Sequence, residues 1–302
     1  MARALRAPLS FMGVPHVTDP GGARAVILGL PFDCGTHPQR VGARLGPFSI
    51  REQSLLLRPW DGDSGLNPIE ALGLVDLGDA DVTPGDVEGA FPVIEAAMDI
   101  ALSGGALPVT LGGDGAVALP QMRALARRYP GLCVLHLDAH TDAYPIEGLN
   151  NATPFARAFE EGLVDTRRSF HIGTRRCHMV PGVYDYGRQL GYGIISMDRL
   201  MQDGIEATLA GVRERVAGRP VYLCFDMDFF DPSVAPGVCT PAWGGATARE
   251  GFAVMRALAG LNIVGIDINT ISPAHDTGGM SALLAATIAF ELLVMAAGGH
   301  FA

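Results

Sequence analysis

The chain has 302 residues, 48% hydrophobic and 18% charged, and its 22 Lys and Arg against 32 Asp and Glu leave a formal charge of −10. That balance, without a Lys/Arg cluster, excludes the positive face that a nucleic-acid backbone requires. Length and apolar content point to one core-rich domain over 1–302, with 1–20 as an N-terminal extension. Arg3 and Arg6 open the chain, but Pro8, Pro15 and His16 interrupt any apolar run long enough for a signal peptide, so a cytoplasmic location is expected. The most apolar segment, 282–297, carries Thr287 and Glu291 and is too short to cross about 30 Å of hydrocarbon. It reads as a buried helix, and no membrane partner is expected.

In chain order the sequence predicts a strand at 25–30, a helix at 47–57, a strand at 72–76, a helix at 87–103, and strands at 107–111 and 132–137 flanking a helix at 119–128. Beyond these it predicts a helix at 153–161, strands at 169–173 and 193–196, a helix at 200–216, a strand at 221–225, a helix at 247–259, a strand at 263–266 and a helix at 281–297. Strands apolar on both faces, separated by helix-length segments, indicate a mostly parallel sheet covered on both sides, a three-layer α/β/α fold with eight strands. Pro47 suits a first helical turn, Asp86 a helix cap, and Thr247 with Glu250 a capping box. The five cysteines, Cys34, Cys133, Cys177, Cys224 and Cys239, are scattered without a CxxC pair, which excludes a zinc finger or a disulfide framework.

In an open parallel sheet, ligands bind beyond the carboxyl ends of the strands. The strand at 132–137 runs into Asp138-Ala-His140-Thr-Asp142, and the strand at 221–225 into Asp226-Met-Asp228. Alternate residues share a face while strand geometry persists, so five potential ligands converge. Four carboxylates in one place require raised pKa values or a cation among them. One imidazole with several carboxylates suits Mn²⁺, Fe²⁺, Ni²⁺ or Zn²⁺, and donor type does not choose among these.

With Gly29-Leu-Pro-Phe-Asp33, Gly42-Ala-Arg-Leu-Gly-Pro47, Leu111-Gly-Gly-Asp114 and Ser281-Ala-Leu-Leu-Ala-Ala286, these clusters resemble the ureohydrolase family of arginases, agmatinases and guanidino-acid hydrolases over nearly the whole chain. The resemblance implies an eight-stranded, arginase-like fold and metal-assisted hydrolysis of a guanidinium carbon. It implies that Asp138, His140, Asp226 and Asp228 surround one ion, and that Asp138, Asp226 and Asp142 serve another. It also marks three departures. The family has a histidine directly after Gly-Gly-Asp where this chain has Gly115, which removes a nitrogen ligand. A His-Gly-Thr-Pro-Phe run is Asn151-Ala-Thr-Pro-Phe155 here, which removes a titrating group near neutral pH. A guanidinium-binding Glu is Thr270, within Asp267-Ile-Asn-Thr270-Ile-Ser-Pro273, which removes the countercharge.

The expectation is therefore a residual site holding zero or one divalent ion, with no catalytic residue in this chain. The chain resembles the degenerate subunit of a heteromeric, nickel-dependent member of the family. That implies a homologous active partner subunit in a trimer- or hexamer-type assembly, Ni or Mn at the level of the complex, and a guanidino or biguanide substrate, with metformin, split to guanylurea and dimethylamine, as the specific case. Two alternatives stand beside it. One is an active amidinohydrolase with a one-metal site, or one rebuilt around Asn150, His275 or Asp276; the other is a non-enzymatic ligand-binding module.

Overall fold

A computed structural model describes residues 8–37 and 39–301. Eight strands, β1 (Ala25–Gly29), β2 (Val75–Asp79), β3 (Leu107–Leu111), β4 (Cys133–Leu137), β5 (Phe170–Thr174), β6 (Gly193–Ser196), β7 (Pro220–Asp226) and β8 (Asn262–Asn269), form one sheet in the order β2-β1-β3-β8-β7-β4-β5-β6. Every pairing within it is parallel, so each connection must cross over one face. The crossovers use nine α-helices among the described residues, and a tenth follows β8: α1 (Gly46–Ser54), α2 (Pro68–Leu72), α3 (Val87–Ala101), α4 (Ala118–Arg128), α5 (Pro154–Glu160), α6 (Val183–Gln189), α7 (Met197–Asp203), α8 (Ile205–Val216), α9 (Ala248–Arg256) and α10 (Met280–Ala297).

The period-two alternation of each strand divides the interior into two cores. Ala25, Ile27, Cys133, Leu135, Leu137, Val221, Leu223 and Phe225 face one side, where residues of α1, α8, α9 and α10 complete the packing. Val26, Leu28, Val134, Tyr222 and Cys224 face the other, with α3, α4 and α5. This is the expected three-layer architecture, with all eight expected strands present.

The differences from expectation are local. Leu72 ends the short helix α2, capped by the Asn67 side chain and closed by Gly73 at φ 58°, so the second strand starts at Val75 rather than at 72. The helix expected at 200–216 is two helices, α7 and α8, because Gly204 adopts φ 86° and ψ 140° between them. Helix α6 was not expected. Asp86 caps α3 through the Gly89 amide, and Thr247 with Glu250 forms the capping box of α9. Helix α10 is long and apolar enough by composition to cross a membrane, yet its Ala282, Ala285, Ala289 and Leu292 pack into the first core.

Of the segment expected as an N-terminal extension, residues 1–7 lie outside the described residues. The remainder docks on the fold: Phe11 is fully buried, its amide donates to Asp76, and His16 pairs beside Asp76. Buried Arg51 from α1 bridges Asp76 (2.8 Å) and Asp79 (2.5 Å), tying that helix to β2.

Candidate metal centre

Strands β4 and β7 are neighbours at the middle of the sheet, with Leu137 opposite Phe225 in register, so Asp138 and Asp226 leave the two strand ends side by side. Asp138 Oδ1 accepts from the His140 amide at 2.8 Å and lies 3.1 Å from His140 Nδ1, which is itself 3.5 Å from Asp228 Oδ2. Asp142, held at φ 44°, turns its carboxylate back toward Asp138 and Asp226. The donor atoms of Asp138, His140 and Asp228 all lie within 4.8 Å of one another, and so do those of His136, Asp138, Asp142 and Asp226. The structure thus brings together all five ligands read from the sequence.

It adds His136, which the sequence analysis left as an ordinary strand residue. Its signal was the period of two: His136, Asp138, His140 and Asp142 are alternate positions running off one strand. His136 Nε2 lies 3.1 Å from Asp138 Oδ2 and 3.6 Å from Asp226 Oδ1, while its Nδ1 pairs with His171 Nδ1 at 2.9 Å. The ring packs against Phe155, centroids 4.3 Å apart.

Charge and burial conflict throughout the cluster. Burial, then the charge of Asp138, raises Asp226 to about 6, and the same two causes hold Asp142 and Asp228 well above the ordinary carboxylate range. Burial also opposes ionisation of Asp138, but His140 and His136 outweigh it and keep that carboxyl well below its ordinary value. Burial disfavours both imidazolium ions, and the carboxylates more than offset it: Asp138 and Asp226 hold His136 at about 10, and Asp228 and Asp138 hold His140 at about 10. Asp138 Oδ2 and His136 Nε2 are buried and have no hydrogen-bond partner, although they face each other. Two orphaned polar atoms inside a ring of carboxylates fit a divalent cation, which supplies the missing partner to both.

The three departures lie around the same strand ends. Gly115 follows Asp114, whose carboxylate accepts from the Cys34 and Ala116 amides and so fixes the turn after β3. A Cβ at Gly115 would stand 2.6 Å from Asp142 Oδ2 and 3.1 Å from the Asn151 carbonyl oxygen, so the Asp142 carboxylate fills the space into which a side chain there would project. The Asn151 side chain accepts from Thr36 at 3.4 Å. Thr270 sits at φ 66°, a conformation costly for a β-branched residue. Its hydroxyl accepts from the Met227 amide (3.0 Å) and donates to the Asn269 carbonyl (2.7 Å).

The residues named for a rebuilt site hydrogen-bond within their own loops. Asp276 accepts from the Ser281 and Ala282 amides at the start of α10, His275 Nδ1 pairs with Ser272 Oγ at 2.9 Å, and Asn150 accepts from the Ala152 amide and donates to the Glu147 carbonyl. Among the cysteines, Cys34, Cys133, Cys224 and Cys239 are buried and raised by desolvation, which makes them poor nucleophiles.

The sequence profile of the Arginase family matches residues 23–295. The chain belongs to the arginase family. It is 40% identical to a guanidinopropionase of Pseudomonas aeruginosa, over 95% of this chain and 91% of that protein. It is 37% identical to an agmatinase of Photorhabdus laumondii, over 97% of this chain and 92% of that protein. Among solved structures, the proclavaminate amidino hydrolase of Streptomyces clavuligerus superimposes with a TM-score of 0.92 at 36% identity, covering 99% of this chain and all of that one. The buried carboxylate–histidine cluster of this arginase-family chain therefore sits on the scaffold of hydrolases named for guanidino compounds.

Proposed function

We propose that this chain is the non-catalytic subunit of a hetero-oligomeric, metal-dependent amidinohydrolase, joined to a homologous subunit that carries the complete site. The complex hydrolyses a guanidino or biguanide compound, with metformin to guanylurea and dimethylamine as the specific case and Ni or Mn as the ion. The observation that carries this reading is Thr270. Where recognition of a guanidinium calls for an anion, the chain presents a neutral hydroxyl whose donor and acceptor roles are both taken by the main chain. Burial accompanies it: Asp138, Asp226 and Asp228 are at most 2% exposed.

A bound divalent ion supplies Lewis-acid polarisation of a water. Around it Asp138, His140, Asp142, Asp226 and Asp228 hold their donor atoms buried and converging, but no side chain among them is placed to fix a guanidinium, and Asn151 cannot titrate near neutral pH. This chain's contribution to the complex is its fold and its surfaces. Closed oligomers of homologous chains accept such a subunit through quasi-equivalent contacts.

The names of the relatives favour a second reading, an active amidinohydrolase with one metal held by Asp138, His140, Asp226 and Asp228. One experiment separates the two. The chain is purified alone and also co-expressed with a homologous ureohydrolase subunit, and release of urea or amine from agmatine, guanidino acids and metformin is measured. The first reading expects no turnover alone, turnover in the complex, and no loss of it when Asp138→Ala is introduced into this chain only. Turnover by the chain alone at ordinary enzymic rates, about 1–1,000 per second, overturns it in favour of the second.

A further inference from the structure

The loss of a histidine at position 115 removes the nitrogen donor that the resemblance gives to one of the two ions. Nothing at the Gly115 turn replaces it, because the Asp142 carboxylate already occupies that space. Two residues before Asp138, where the ligand motif begins, lies the imidazole of His136, within reach of the same carboxylates. We infer that His136 Nε2, with the carboxylates of Asp138, Asp142 and Asp226, forms a binding site for one divalent first-row transition ion, its nitrogen standing in for the one Gly115 does not provide.

The argument is geometric. The four donor groups lie within 4.8 Å of one another and all four residues are buried. His136 Nδ1 is paired at 2.9 Å with Nδ1 of His171, which is fully buried. With Nδ1 engaged on His171, the ring turns Nε2 toward the carboxylates, 3.1 Å from Asp138 Oδ2 and 3.6 Å from Asp226 Oδ1, and an ion bound there takes the place of an Nε2 proton. This is how a ligating histidine is oriented: the ring nitrogen that does not bind the ion donates to a fixed acceptor, which sets the tautomer.

The ring is also held in place. Phe155 packs on it at 4.3 Å, His171 packs on Tyr192 at 4.6 Å, and the Tyr192 hydroxyl donates to the Phe155 carbonyl at 2.9 Å, closing a set of contacts between α5, β4 and β5. His136 Nε2 has no partner, and neither does Asp138 Oδ2. His171 Nε2 is unpartnered too, but only His136 Nε2 lies within reach of the carboxylates of Asp138, Asp142 and Asp226. A proton on Nε2 would relieve the pair through a hydrogen bond directed at an oxygen, but the 3.1 Å approach of Nε2 to Asp138 Oδ2 lacks that direction. An ion placed between nitrogen and carboxylates relieves all of them. The ligand mixture, one imidazole with three carboxylates, suits Mn²⁺, Co²⁺, Ni²⁺ or Zn²⁺ rather than Ca²⁺.

The test measures binding alone and is independent of whether the chain turns over any substrate. The full chain, stripped with EDTA, is titrated with Co²⁺, followed by the visible absorption of the bound ion and by the paramagnetically shifted ring N–H proton resonances of the ligating histidines. Wild type is expected to show two such resonances, from His136 and His140, the first slow to exchange with solvent. His136→Gln is expected to lose one of them and to weaken Co²⁺ binding at that site at least about 100-fold. A wild-type spectrum with the His140 resonance alone, or a folded His136→Gln variant that binds like wild type, overturns the assignment. Thermal melting in EDTA establishes that each variant is folded. Should His136→Gln not fold, Asp142→Asn removes a carboxylate of the same quartet: loss of the His136 resonance with the His140 resonance kept supports the site, and retention of both overturns it.

Discussion

Chelated protein is expected to lose stability as pH rises from about 4 to 6, and a divalent ion to reverse that trend. Asp226 stands at about 6 in the fold against an ordinary 3.8, because burial and the Asp138 charge disfavour its ionised form. Between those two values the unfolded chain has released a proton that the fold retains, so this group's stabilisation is complete below the lower value and lost as pH passes the higher. The difference corresponds to about 3 kcal/mol from Asp226 alone. Asp142 and Asp228, also raised, and Asp114, held by burial at about 7, act in the same direction. Asp138, lowered, acts in the opposite direction only below its ordinary value, and His171, lowered by burial, opposes them up to its own ordinary value of 6.5 without matching the four raised carboxyls together. Above pH 6.5 the raised histidines, His136 and His140, continue the decline. An ion binds only after these protons leave, so its stabilisation grows with pH and reaches about 4 kcal/mol when its concentration is about 1,000 times the dissociation constant. Urea unfolding at pH 4, 5, 6 and 7, with EDTA and with saturating Mn²⁺ or Ni²⁺, measures both slopes. Equal stability of the chelated protein at pH 4 and pH 6, within about 0.5 kcal/mol of error, would refute the claim that the cluster carries uncompensated buried charge.

Three further outcomes follow from the geometry. Arg51→Met leaves Asp76 buried without its countercharge and should cost about 3–5 kcal/mol in urea unfolding. Gly113→Ala places a Cβ 1.6 Å from the Phe32 carbonyl oxygen, a main-chain atom that cannot swing away, and should cost about 3 kcal/mol or more by the same measurement. Gly115→Ala meets the end of the Asp142 side chain at 2.6 Å, with the Asn151 carbonyl oxygen at 3.1 Å a milder contact, and should displace that carboxylate: apparent metal affinity falls about 10-fold or more in calorimetric titration while unfolding changes by less than about 1 kcal/mol.

The strands were legible because a parallel sheet buried on both faces demands continuous apolar runs, and β1, β3, β4 and β7 are written that way. What escaped was short or interrupted. Helix α2 has five residues and α6 seven, too few for a helical period to emerge, and the apolar pattern at 200–216 continues across Gly204 although the backbone does not. The five expected ligands were legible because carboxylates following an apolar strand have few structural uses. His136 was not, since a histidine inside an apolar run reads as core until its neighbours in space are known; its packing on Phe155 and His171 comes from α5 and β5, about 20 and 35 positions along the chain. The occupations of Asp276, His275 and Asn150 were likewise invisible, because local hydrogen bonds from polar loop residues leave no periodic trace.

The way Thr270 is held has an evolutionary reading. Its amide donates to the Gly113 carbonyl at 2.7 Å, and its own carbonyl accepts from Cys239 at 3.2 Å, so the turns after β3 and β8 are joined through main-chain atoms that any residue type supplies. Much of the loop's shape thus rests on main-chain bonds, with the φ of 66° and the Thr270 hydroxyl's bonds to Met227 and Asn269 as the part that depends on residue type. A duplicated gene could exchange the side chains that perform a reaction, one substitution at a time, while its product continued to fold. Division of labour between two copies becomes accessible by small, individually tolerated steps.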